Sequence, residues 1–219
     1  MCANFKPLTL KQVQDLNLPE IPFEYPEEVY PGYDLPLLFK SQKGLEWRKV
    51  IFGLVPKWAE DKTIAHKTYN ARSETLLQKP SFSNALLKYK FGVIPVSEFY
   101  ESKYFDQKPQ RWGVRRKDGK ALYIAALYEI CKIKDEVIRS ATMITMDAID
   151  HPMMKEFHEA GNVKRSVIVI PQERLNEWLS WRSPDIRPFV EGFPEVEFEC
   201  SHVAKAKIEK ITPQLNFFD

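Results

Sequence analysis

Cysteine is scarce in this chain: Cys2, Cys131 and Cys200 are the only three in 219 residues. An odd set without a CxxC pair excludes a disulfide framework in a reducing compartment, and the isolated C-x-H of Cys200 and His202 lacks the second ligand pair a structural zinc needs. Cys131, inside the apolar run "YEICKI", reads as a small buried hydrophobe. Long apolar runs are missing too. "ALYIAALY" and "VIVIP" are far too short to span a bilayer, and the first residues lack the basic stretch and apolar run of a signal peptide. A cytoplasmic protein with no membrane partner is expected. There is no glycine-rich phosphate loop, no βαβ alternation, no low-complexity segment and no internal repeat, which disfavours nucleotide-binding folds and repeat architectures. A strong charge of one sign is also absent, since the net charge is only +2.

What is present belongs to a folded protein. Apolar residues make up 44% and aromatics 13%, enough for one sizeable core, so a single domain over residues 1–219 is expected. The charge is unevenly spread. Residues 1–39 carry two basic side chains against six acidic ones, whereas residues 40–90 carry eleven against four. Such a region can hold a polyanion without a high overall pI, and it equally suits solvated lysines around a core.

Thr9 and Gln12 have capping-box spacing, and Leu10, Val13 and Leu16 share one helical face, so "LTLKQVQDLN" reads as a short helix. The next stretch, "LPEIPFEYPEEVYPGYDLP", holds five prolines and is expected to be irregular. Strands are expected at 49–55, 91–96, 111–116, 121–131, 140–146, 166–170 and 196–200, with helices at 81–89, 151–160 and 171–181. The fold class is therefore α+β: a mainly antiparallel, barrel-like domain with a few inserted helices.

Cys2 follows the initiator methionine directly. Loss of Met1 would leave a 1,2-aminothiol whose amine titrates near ~8 and whose thiol titrates near ~8.5, both nucleophilic close to neutral pH. With an aldehyde the amine forms a Schiff base and the thiol closes it into a thiazolidine ring. The same pair also suits an amino-terminal-nucleophile amidohydrolase, with the amine as base for the thiol. Other polar residues bear on the choice. In "TYNARSETL", Asn70, Arg72 and Glu74 alternate and would share one face of an extended segment, although the same letters suit the polar first turn of a helix. Arg72 is suited to bidentate phosphate contact. "FGLVPKW" presents Lys57 beside Trp58, which could stack on an unpaired base or lie in the core. Glu101, among Phe99, Tyr100 and Tyr104, is placed for acid–base work against apolar surface, with Glu98 as the competing carboxylate. His158 is a proton shuttle or a solvent-facing helix residue, and Lys164 and Arg165 open the following strand. His151 and His158 are seven apart, which is not a metal spacing, so neither metal nor cofactor is expected.

Cys2 together with "FGLVPKW", "NARSET", "GVIPVSEFYE" and "H…KRSVIVIP" resembles, in order and across almost the whole chain, the SRAP family of SOS-response-associated peptidases, which shield abasic sites in single-stranded DNA. The resemblance implies the SRAP fold and a covalent thiazolidine crosslink from Cys2, after Met1 removal, to an abasic sugar in single-stranded DNA. It further implies autoproteolytic release of Met1, a lyase-type reversal, a monomer, and association with the nucleoid on damage. Asn70 would bind the adduct, Glu101 would act as acid–base and His158 would assist. Arg72, Lys164 and Arg165 would hold phosphates, and Lys57 and Trp58 would support the strand. The chain departs from the family pattern at Ala3-Asn4 in place of glycine and arginine, at Phe52, Glu98 and Ser102, and in the longer "EAGNV" after His158. Besides the amidohydrolase, a rival reading is a non-catalytic nucleic-acid-binding barrel in which position 2 is incidental.

Overall fold

The structure, a computed structural model, describes residues 2–190 and 197–203. Eleven strands form one hydrogen-bonded sheet: β1 (Asn4–Pro7), β2 (Asp34–Ser41), β3 (Gly44–Phe52), β4 (Asn70–Arg72), β5 (Phe91–Phe105), β6 (Lys108–Arg116), β7 (Leu122–Ile133), β8 (Glu136–Asp147), β9 (Arg165–Val167), β10 (Val169–Ile170) and β11 (Phe198–His202). Among the described residues three short helices accompany them: α1 (Leu10–Asp15), α2 (Pro80–Leu87) and α3 (Leu175–Leu179). Five strands close on themselves, in the order β7, β8, β3, β2, β5 and back to β7. The β3–β8 and β4–β8 contacts are parallel and the other pairings antiparallel, so the expected mainly antiparallel barrel is what forms.

The apolar run "ALYIAALY" becomes β7, which is covered on both faces. Leu122, Ile124 and Ala126 join one core cluster, while Tyr123, Ala125 and Leu127 join another with Phe91 and Trp178. That two-sided burial is why the run lacks polar alternation. The buried Trp178 indole donates to the Gly92 carbonyl at 2.8 Å and so pins α3 to the start of β5. α1 is capped as its sequence predicts, Thr9 and Gln12 bonding each other's backbone reciprocally.

β5 is the strand on which the site is built. Its first part pairs with β7 from Phe91 to Val96, and the strand, expected to end at 96, continues extended to Phe105. Beyond Val96 it meets β6 on one edge and β1 on the other. Phe5 of β1 is fully buried, with its ring 5.3 Å from that of Phe52. Burying such a side chain contributes roughly 1.5–3 kcal/mol, which anchors the strand just after Cys2.

Three expectations are corrected. The proline-rich stretch is irregular only as far as Tyr33, and β2 begins at Asp34, because Pro36 lies where the strand pairs with β3 while β2 meets β5 around Leu38 and Val93. The expected helix at 151–160 is a single tight turn, Met154–Glu156. There the His151 Nδ1 accepts from the amides of Met153 and Met154, and His158 takes a left-handed backbone with φ +65°. The expected helix at 171–181 begins as a tight turn, Gln172–Arg174, and is helical from Leu175 to Leu179. Val196, called as a strand residue, lies outside the described residues.

Candidate active site around the amino-terminal cysteine

Cys2 lies at the head of β1. The register from Phe5–Phe99 to Asn4–Tyr100 carries the chain back toward Glu101 and Ser102. Its side chain is 1% exposed, and the thiol points to the Asn4 carbonyl at 3.6 Å. Burial, reinforced by the charge of Glu101, pushes the thiol well above its usual range, so sulfur is held as the neutral thiol. Met1 lies outside the described residues.

Asn70 reaches Cys2 from β4. Its Nδ2 donates to the Cys2 carbonyl at 2.7 Å, while its Oδ1 is buried with no partner among the described residues. β4 settles the two readings of "NARSET". The segment is extended through Arg72, so Asn70 and Arg72 alternate on one face, and then coils into a tight turn at Ser73–Thr75 that turns Glu74 elsewhere. Glu74 accepts both guanidinium nitrogens of Arg165, at 2.9 and 3.0 Å, and the Asp147 amide at 2.9 Å. Although burial works against it, these bonds hold the Glu74 carboxyl below its ordinary value.

Glu101 and Glu98 separate by strand alternation. Glu98 shares a face with Tyr100, whose hydroxyl donates to it at 2.8 Å, and Glu101 stands on the opposite face. Burial raises the Glu101 carboxyl from 4.5 to about 7, so near neutral pH it is divided between acid and base forms. His158 Nδ1 lies 3.6 Å from Glu101 Oε2, and Nε2 lies 3.0 Å from the Arg165 carbonyl. A carbonyl only accepts, so the proton is assigned to Nε2 and the Nδ1 lone pair faces Glu101. Burial lowers the His158 pKa, which keeps the ring neutral and the pair able to share one proton.

Arg72, Glu101, Ser102, Tyr104, His158 and Arg165 line one cleft of about 400 Å³, with the 159–163 loop as its wall. Arg72 is exposed and makes no ion pair among the described residues, whereas Arg165 is 4% exposed and committed to Glu74 and Thr145. Lys164 is placed otherwise than a phosphate contact requires, for its ammonium donates to the carbonyls of Phe157, His158 and Glu159. Trp58 is 58% exposed and donates to the Pro80 carbonyl at 3.3 Å. Neither it nor Lys57 lines the cleft. Both follow Gly53, whose φ of +116° and proximity to the Ala65 carbonyl admit only glycine.

The region with surplus basic charge is partly spent internally. Lys49 pairs with Asp34, Lys62 with Glu136, and Lys90 with the buried Glu129. Sequence reasoning also missed Glu28, which accepts from Asn4, Arg111 and Tyr30, the last at 2.7 Å. Position 4 is thereby tied into a half-buried polar cluster on the Glu98 and Tyr100 side of β5, where Arg111 stacks 3.6 Å from the Tyr100 ring. A carboxylate placed amid five prolines carries no periodic signal that could have revealed this.

The family model described as SOS response associated peptidase (SRAP) matches residues 6–209. The chain belongs to the SRAP family. Abasic site processing protein YoqW of Bacillus subtilis (strain 168) is 30% identical over 175 residues, covering 78% of this chain and 74% of that protein. Abasic site processing protein YobE of the same organism is 30% identical over 175 residues, covering 78% and 75%. A crystal structure from Bordetella bronchiseptica matches with a TM-score of 0.85 at 26% identity, over 93% of this chain and 100% of that one. Another, from Bacteroides thetaiotaomicron, has a TM-score of 0.74 at 18% identity over 93% and 92%, a likeness of fold. The SRAP match starts after Cys2, so position 2 is tied to the site by the Asn70 bond and the burial beside Glu101.

Proposed function

We propose that this SRAP protein processes abasic sites in single-stranded DNA by forming a covalent thiazolidine link through Cys2. The observation that carries the reading is convergence. Asn70 holds the Cys2 carbonyl, the charge of Glu101 acts on the Cys2 thiol, and His158 faces Glu101, although these three residues stand 68, 99 and 156 positions after Cys2 in sequence and all four lie on separate segments. Curated relatives called abasic site processing proteins support the substrate class.

The site hydrolyses the Met1–Cys2 peptide bond first, consuming one water and freeing the α-amine. That amine adds to the C1′ aldehyde of the ring-opened abasic sugar. Glu101, in its acid form, gives the proton with which the carbinolamine loses water, and His158 takes up or returns the proton through Nδ1. The thiol then adds across the resulting imine: sulfur bonds to C1′ and its proton ends on nitrogen. Forming the ring from amine, thiol and aldehyde releases one water, and nothing is oxidised or reduced. The unpartnered Asn70 Oδ1 accepts an N–H of the adduct while Nδ2 keeps the Cys2 carbonyl in place. Arg72 meets a phosphate of the strand, and Lys57 and Trp58 serve the strand outside the cleft. The protein acts as a monomer, and the reverse sequence of steps releases the DNA.

Met-free protein is incubated with an oligonucleotide carrying one abasic site and resolved on a denaturing gel. Wild type should give a heat-stable adduct with the mass of protein plus DNA less one water, Cys2→Ala should give none, and single-stranded substrate should outpace duplex. Absence of adduct from both proteins rejects the reading, and turnover of an amide substrate through an acyl-enzyme would replace it with the amidohydrolase.

A further inference from the structure

The loop from Phe157 to Lys164 carries His158 into the cleft, and a run of contacts decides its shape. The His158 amide donates to the Ser102 carbonyl at 2.8 Å, and Phe157 bridges Lys103 across the edge of β5. The backbone at His158 is left-handed, a conformation that costs a non-glycine residue free energy and persists only where surroundings impose it. That turn leaves the carbonyls of Phe157, His158 and Glu159 pointing to one place. Lys164 occupies it, its Nζ lying 2.7, 3.1 and 3.3 Å from the three oxygens. An ammonium has three donors, so all are used and the bonds are charge-assisted. The Lys164 carbonyl is itself fixed by the Ala148 amide at 3.0 Å, so the side chain projects from an anchored point beside β9.

We propose that Lys164 is a positioning residue for His158: by gathering three consecutive carbonyls it keeps the imidazole between the Arg165 carbonyl and the Glu101 carboxyl. The inference rests on the thiazolidine reading for its catalytic consequence and on geometry alone for its structural one. Without the ammonium, the carbonyls of Phe157 and His158 would need water, that of Glu159 would keep only the Asn162 amide, the left-handed turn would be held by its Ser102 bond alone, and the ring would leave Glu101. Among the described residues, the charged neighbours of His158 are Glu101 from β5, Lys164 from the loop end and Arg165 from β9.

The test compares wild type with Lys164→Met and Lys164→Arg, with Lys164→Gln as a second neutral variant should the methionine protein fail to fold. Nitrogen-15 spectra of the His158 ring, recorded without DNA, should show a neutral ring with its proton on Nε2 in wild type and Lys164→Arg. In the neutral variant they should show mixed tautomers and a pKa returned toward the ordinary histidine value. Adduct formation at saturating abasic oligonucleotide should slow at least tenfold in the neutral variant and recover to within about threefold in Lys164→Arg, with oligonucleotide affinity and its salt dependence unchanged. A wild-type ring spectrum in the neutral variant overturns the proposal. So does a neutral variant that loses about one unit of salt slope and regains full rate at saturation, which is the behaviour of a phosphate contact. Should wild type form no adduct, the functional reading fails while the ring spectra still decide the role of Lys164.

Discussion

Replacing Glu101 with glutamine should make the folded protein more stable at alkaline pH while slowing its chemistry. The side chain is 3% exposed, and burial raises its carboxyl from 4.5 to about 7. A group whose folded pKa is raised binds its proton more tightly in the native state. Its favourable contribution is therefore complete below pH ~4.5 and is lost as pH climbs through 7. A shift of this size corresponds to about 3 kcal/mol at ~1.4 kcal/mol per pKa unit, of which about 2–3 kcal/mol falls between pH 5 and pH 8. Glu101→Gln has no charge to desolvate, so its unfolding free energy, measured by urea titration of protein retaining Met1, should exceed that of wild type by that amount more at pH 8 than at pH 5. In thermal scans the gap should widen by about 5–10 °C, taking ~2–4 °C per kcal/mol for a chain of this size. The same substitution removes the acid for water loss and should lower the adduct rate by 10²-fold or more, within the usual range for a general acid–base group. Parallel pH profiles of stability for the two proteins would refute the claim that Glu101 is held in a desolvated, proton-binding site. A stabilised variant with full rate would refute its catalytic role.

Two further outcomes follow from the cleft. Arg72→Ala, which removes an exposed guanidinium without an ion pair among the described residues, should weaken oligonucleotide binding and reduce the slope of log K against log salt by about one, read by fluorescence anisotropy. Glu74→Ala strips the carboxylate from the 4% exposed Arg165 and should cost about 3–5 kcal/mol in urea unfolding, more than Arg165→Met, because the 45% exposed Glu74 can rehydrate and the buried guanidinium cannot.

Much of the site was legible because its signals are local. A cysteine at position 2, once Met1 is removed, has amine and thiol on adjacent carbons whatever the fold, and alternation alone put Asn70 and Arg72 on one face once the segment was extended. The capping box at Thr9 and the strand expected at 121–131, which forms as β7, were likewise written in nearest neighbours and composition. The helix expected at 151–160 failed because the His151 side chain and the bridge from Phe157 to β5 outweigh helical periodicity, which is a weak preference over one turn. Lys164 looked like a phosphate contact because a lysine beside an arginine carries no mark of the three carbonyls that a left-handed turn brings to it.

The sequence by itself determined the chemistry available: a latent aminothiol, an amide, a carboxyl among aromatics, an imidazole and scattered guanidinium groups, in a series of short strands that close as a mainly antiparallel barrel. Only the tertiary structure decided which of these groups act together. Burial of Glu101 set its proton affinity, the opposite faces of β5 separated it from Glu98, and an ion pair between residues 91 positions apart committed Arg165 to Glu74 while leaving Arg72 to the cleft. Desolvation and long-range pairing depend on what is packed around a group, and that is fixed when the strands close, not by neighbours along the chain.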